Sequence, residues 1–175
     1  MTAPLILRAT LDGLDTAERA RTLFLPALAG APEALLDLLA LLPVADVNGA
    51  LLAALARQGR FPPGEAPVAA VFCADPFLRV ADMAEALLAA GVRRVANYPS
   101  VQVIDGETGR AIAAVGYGPE EELATLLRLR QAGLVAVGCA ASPAFAARLT
   151  AAGMTEIRAV PPPGAGRRDF PPFTR

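Results

Sequence analysis

NYPSVQVIDGETGRAIAAVGYG, Asn97 to Gly118, is the long connection in a chain whose other connections read as short. The strand-like run Val92 to Tyr98 leads into it, and Pro119 opens a helix at its far end. Glu120, Glu121 and Glu122 fall in the first turn of that helix, Arg128 and Arg130 in the last, and Gly133 just beyond. This is the charge order a helix dipole favours, with proline and glycine at the ends that tolerate them. Strand, enlarged loop and helix form a βα unit, and in parallel α/β folds ligands bind at the carboxyl ends of strands. Loops of this length inside a compact domain are uncommon and usually functional or disordered. With Asn97, Tyr98, Asp105, Glu107, Arg110 and Tyr117 on it, this loop is the first place to look for a site.

Outward from the loop, one pattern repeats. LLAAGVRRVANYP, LRQAGLVAVGCA and LTAAGMTEIRAVP each join a helix end to a strand through Ala-Gly, at Gly91, Gly133 and Gly153. Glycine-closed helices alternating with apolar strands are the grammar of a parallel sheet. Strands are expected near Leu5, Leu23, Val68, Val92, Val135 and Ile157, with Pro26 weakening the second. Pro32 opens a leucine-rich segment that Pro43 ends, and a helix follows over Gly49 to Gln58. Asp75-Pro76 is expected to cap the helix that Gly91 stops, and Ser142-Pro143 the last one. After Val160 the chain becomes PPPGAGRRDFPPFTR, which reads as an extended or disordered tail unable to bury a core.

Composition excludes more than it includes. The 175 residues carry a net charge of −1, and every basic side chain is arginine. Without lysine there is no Schiff base or P-loop lysine; without histidine there is no Ser-His or Cys-His pair and no imidazole metal ligand. Acid, base or metal chemistry would fall to Asp, Glu, Cys or Tyr, which points to oxygen-ligated Mg²⁺ if a metal takes part. Cys73 and Cys139 end apolar runs and read as buried structural thiols. Arg93-Arg94 reads as a solvated face, and nothing suggests a nucleic-acid partner. No run reaches the length of a membrane span, and MTAPLILRAT lacks the basic region of a signal peptide, so a cytoplasmic protein is expected.

PVAAVFCADPF, GVRRVANYPSVQVIDG and GYGPEEEL, in that order and spacing, resemble the phosphoenolpyruvate hydrolase-like TIM-barrel family, also described as predicted signal-transduction TIM barrels. A plant tobamovirus-resistance protein shares the domain. Upstream, LLPVADVNG is similar to the family's L-L-P-Y-G-D-A-N, so the resemblance runs from about Leu41 to Met154. It implies an α/β fold of parallel βα units in TIM-barrel order, here an incomplete barrel of about six units over residues 1–160, with a Pro/Gly/Arg-rich tail over 161–175. It also implies a hydrolase or lyase acting on a small phosphorylated or keto carboxylate, with Mg²⁺. On this reading Asp105 and Glu120 or Glu122 are acid-base candidates, and Asn97, Tyr117, Asp75, Asp46 and Asn48 contact the ligand.

The chain departs from that pattern. Ala27-Leu28-Ala29-Gly30 stands where the family has Asn-Ser-Gly-Arg-Tyr, and Ala159-Val160-Pro161 where it has His-Met-Gly. The last two βα units, whose counterparts in many TIM barrels hold phosphate, are missing. A catalytically degenerate ligand-sensing or protein-interaction scaffold is therefore the alternative. Six units also leave two open sheet edges, from which a homo-oligomer or a partner subunit is expected. If the site survives, Asn97, Asp105, Tyr117 and Glu120 should converge above the sheet near Asp46 and Asp75.

Overall fold

Six short strands follow one another around the sheet in chain order in the computed structural model, which describes residues 3–40, 42 and 44–174. They are β1 (Leu5–Arg8), β2 (Thr22–Phe24), β3 (Val68–Val71), β4 (Arg94–Asn97), β5 (Val135–Ala140) and β6 (Ile157–Ala159). Each lies parallel to the next, with Leu7 opposite Leu23, Leu23 opposite Val68, Ala69 opposite Val95, Val95 opposite Ala136 and Cys139 opposite Arg158. This is barrel order, without the reversal of a doubly wound sheet.

The period of two along each strand separates two cores. Leu5, Leu7, Leu23, Val68, Ala70, Ala96, Val137 and Cys139 form the inner one. Phe24, Ala69, Val71, Val95 and Ala136 face the other way and meet the helices. Those helices are α1 (Thr16–Ala20), α2 (Leu36–Leu39), α3 (Val47–Gln58), α4 (Val80–Ala89), α5 (Gly106–Ala114), α6 (Pro119–Gln131) and α7 (Pro143–Ala151). Leu51, Leu55, Met83, Leu87, Leu126, Leu129 and Leu149 supply their buried stripe. The repeated Ala-Gly turn does the same work three times. Val92, Leu134 and Met154 donate their N–H groups to the carbonyls of Leu87, Leu129 and Leu149, as in a Schellman motif.

At the amino ends of the strands, charge is consumed internally. Glu156 accepts from Arg94 at 2.7 and 2.8 Å and from Arg158 at 2.6 and 3.0 Å. Arg158, only 2% exposed, also donates to the carbonyl of Ala3, and Arg94 to that of Ala20. Burial alone would push the Glu156 carboxyl up, but hydrogen bonds from Arg158 and Arg94 hold it below the usual carboxylate range. Only Arg93 of the expected solvated pair is exposed, because strand alternation turns Arg94 toward Glu156.

Several local expectations change. The loop after β4 contains a 3₁₀ turn, Val101–Val103, and the nine-residue α5. Asp75 does not cap α4, whose N-cap is Arg79; it accepts the Phe77 N–H at 2.8 Å and closes a turn instead. Asp46 caps α3, so that helix starts at Val47, and Pro26 converts the end of the second strand into a 3₁₀ turn. The stop expected at Pro43 lies outside the described residues.

The tail departs most from its expectation. β7 (Asp169–Phe170) lies antiparallel to β1, with Leu5 opposite Phe170, and Pro172 bridges to Arg158 in β6. Leu7 donates its N–H to the Arg168 carbonyl, Ala159 donates to Pro171, and Phe173 donates to Ile157. One proline-rich segment thus joins both edges of the six-stranded sheet and nearly closes the barrel. Prolines lack the N–H a central strand needs, but here Pro171 is used as an acceptor and non-proline neighbours donate. Phe170 is fully buried and meets the Tyr98 ring edge-on at 4.8 Å. The segment therefore does bury core, and the two bare edges behind the expected self-association are occupied. Among the described residues no helix is long and apolar enough to cross a membrane.

Candidate functional site

Asn97 is the last residue of β4, where the ladder to β5 would otherwise stop. Its amide continues the ladder: Oδ1 accepts from the Cys139 N–H at 2.7 Å and Nδ2 donates to the Cys139 carbonyl at 3.1 Å. The same Nδ2 donates to Glu122 at 3.2 Å. Asn48 repeats the device one strand away. It accepts from the Phe72 N–H at 3.0 Å and donates to the Phe72 carbonyl at 3.0 Å and to Asp75 at 2.8 Å. In both cases a buried asparagine stands in for a peptide unit at a strand's carboxyl end and passes a proton donor to an acid.

The three acids that open α6 diverge because successive helical residues turn by about 100°. Glu120 pairs at the surface with Arg148 of α7, and Glu121 pairs with Arg128 along its own helix. Glu122 points inward and is fully buried. It accepts from Ser100 Oγ at 2.9 Å, Gln102 Nε2 at 3.1 Å, Asn97 Nδ2 and the Val101 N–H. Burial pushes its carboxyl up, and the donors offset this only partly. Gln102 also donates to the Cys139 carbonyl and accepts from the Ala141 N–H, so the knot fastens the loop to β5 as well as to α6.

Above this knot lies a cleft of about 750 Å³ at the carboxyl ends of β3 and β4. Its walls are mainly apolar, among them Val47, Phe72, Val101, Ile104 and Ile112, with Asp46, Ser100, Thr108 and Tyr117 as the polar contributors. The α5 helix has no buried residue and covers one side of the cleft. Gly109 seats it: a β-carbon there would lie 2.3 Å from the Ile104 carbonyl oxygen.

Of the four residues expected to converge, Asn97 meets Glu122 instead, while Asp46, Asn48 and Asp75 gather around a neighbouring hollow. Tyr117 reaches the cleft. Asp105 is exposed at the start of α5, where its side chain caps nothing, and Glu120 is exposed beside Arg148. Neither joins the cluster, because the α5 helix carries Asp105 outward and helical rotation carries Glu120 away from Glu122.

A family model described as phosphoenolpyruvate hydrolase-like matches residues 34–160. The chain belongs to the phosphoenolpyruvate hydrolase-like family. It is also similar to the uncharacterized protein y4oT of Sinorhizobium fredii (strain NBRC 101917 / NGR234), 42% identical over 107 residues, or 61% of this chain. The chain spans about half the length of that curated relative, 53%. The family match takes in both asparagine devices, Glu122 and the cleft, and leaves out β1, β2 and β7.

The Mg²⁺ that the family resemblance implied would fall to acids such as Asp46 and Asp75, which line the cleft and the neighbouring hollow. Among the described residues no three His, Cys, Asp or Glu side chains stand close enough to share an ion. Asp46 spends an oxygen on the Gly49 N–H, and Asp75 spends both on Phe77 and Asn48. Cys73 and Cys139 are buried free thiols, and burial pushes both well above the range of a reactive thiolate. In this phosphoenolpyruvate hydrolase-like chain the residues that sequence reasoning missed are Ser100 and Gln102. Their signal was present: two uncharged hydrogen-bonding side chains alternating with apolar ones directly after Asn97.

Proposed function

We propose that this chain is a ligand-binding member of its family that does not hydrolyse a phosphorylated carboxylate. One observation carries the reading: the buried acid best placed for chemistry, Glu122, is enclosed by four donors and does not line the cleft. An acid-base residue must reach the proton it moves, directly or through one water. Glu122 instead ties the loop to α6, while Ser100 and Val101, which it holds, form part of the cleft wall. A transferring phosphate also calls for cationic or metal clamps. Among the described residues no arginine lines the cleft. Asp105 and Glu120, the other acid-base candidates, face solvent.

The test is a coupled assay for pyruvate release from phosphoenolpyruvate by the full chain, with and without Mg²⁺. No release above the buffer rate is expected in either condition. Release that disappears in Glu122→Gln, with the variant still folded, would overturn the reading in favour of the hydrolase.

A further inference from the structure

We infer that the cleft over β3 and β4 takes a small amine with a hydrocarbon body. The inference rests on the ligand-binding reading above and names its ligand class. The volume, about 750 Å³, is that of a small-molecule site, and its apolar walls suit a hydrocarbon group. Charge decides the rest. Asp46 is the one charged side chain lining the cleft among the described residues. One of its oxygens caps α3 through the Gly49 N–H. Asp46 is exposed at the edge of those apolar walls, where its charge still favours a cation over an anion. Ser100 Oγ is already committed to Glu122, so it offers an incoming phosphate no free donor. Tyr117, 41% exposed, also lines the cleft and is an aromatic side chain of the kind that attracts an ammonium group.

Two probes of matched skeleton and opposite charge test this: phenylbutylamine and phenylbutyrate, titrated calorimetrically into the full chain at neutral pH. The amine is expected to bind about tenfold more tightly, the size of exchanging one partly exposed attraction for a repulsion. Asp46→Asn removes the charge but keeps a side chain of equal capping strength. In that variant the preference should fall to within about twofold while the melting temperature holds. Ile112→Trp, on a helix with no buried residue, should weaken both probes by filling the cleft. Equal or tighter binding of phenylbutyrate, a preference unchanged in Asp46→Asn, or no binding of either probe would overturn the inference. Pyruvate release from phosphoenolpyruvate would instead overturn the non-hydrolytic reading, whatever the probes do.

Discussion

Replacing Asn97 by aspartate exchanges one NH₂ group for an oxygen in a side chain with no exposed surface. Oδ1 keeps its bond from the Cys139 N–H, but the group that donated to Glu122 and to the Cys139 carbonyl becomes an acceptor facing acceptors. Two carboxylates about 3.2 Å apart would repel by about 5 kcal/mol at an effective dielectric of about 20. The pair can avoid this by keeping a proton. Holding it to pH 7 against an ordinary aspartate value of about 3.9 costs about 4 kcal/mol, at about 1.4 kcal/mol per unit. The lower figure sets the penalty. For a chain of this size it corresponds to a melting temperature lower by about 8–16 °C. The sign with pH follows from linkage: the folded value is raised, so stability is retained below the unfolded value and lost as pH rises through the folded one. Urea unfolding of both proteins from pH 4 to pH 8 should show a small deficit at the acid end that grows toward neutrality. A deficit that is flat across that range, or absent at pH 8, would refute the placement of Asn97 against Glu122.

Glu156 should behave in the opposite sense. Its carboxyl is held low, so its contribution is present above the ordinary carboxylate value and lost as pH falls through the folded one. Glu156→Gln should cost about 3 kcal/mol at pH 7, because Arg158 is left charged and buried, and the deficit should shrink in acid unfolding curves. Phe170→Ala should cost about 3–5 kcal/mol in denaturant unfolding, as for other fully buried aromatics. Ending the chain after Pro161 should expose β1 and β6 and produce concentration-dependent association in light scattering; a monomer at high concentration would count against the seam. Asp105→Asn should change stability by less than about 0.5 kcal/mol, since the side chain is exposed and caps nothing.

The parallel order of six strands was legible because it is written locally. The Ala-Gly turns at Gly91, Gly133 and Gly153 need glycine at positive φ, and their even recurrence implies a repeating unit. Asn97 was legible as a candidate from its place at a strand end, whereas Glu122 became one only through the family resemblance. Which of three adjacent acids faces inward was not legible, because that depends on the rotation of α6 against β4 and β5. The role of the tail was invisible for a different reason. Its composition opposes a strand, and it forms one because two waiting edges supply partners from residues far away in sequence. Asp75 was misassigned as a helix cap because Asp-Pro fits a tight turn and a helix start equally well.

The seam has a consequence for the order in which the molecule assembles. Leu5 meets Phe170 across 165 positions of chain (170 − 5), whereas most other strand pairings join consecutive βα units. Chain entropy must be given up before such a contact returns anything, so the seam forms late, after the parallel units have docked. Without that pairing the six strands form an open sheet with unpaired N–H and C=O groups on both flanks, so collision with another such molecule would compete with closure. Refolding yield should therefore fall with protein concentration more steeply than the stability of the finished barrel would suggest.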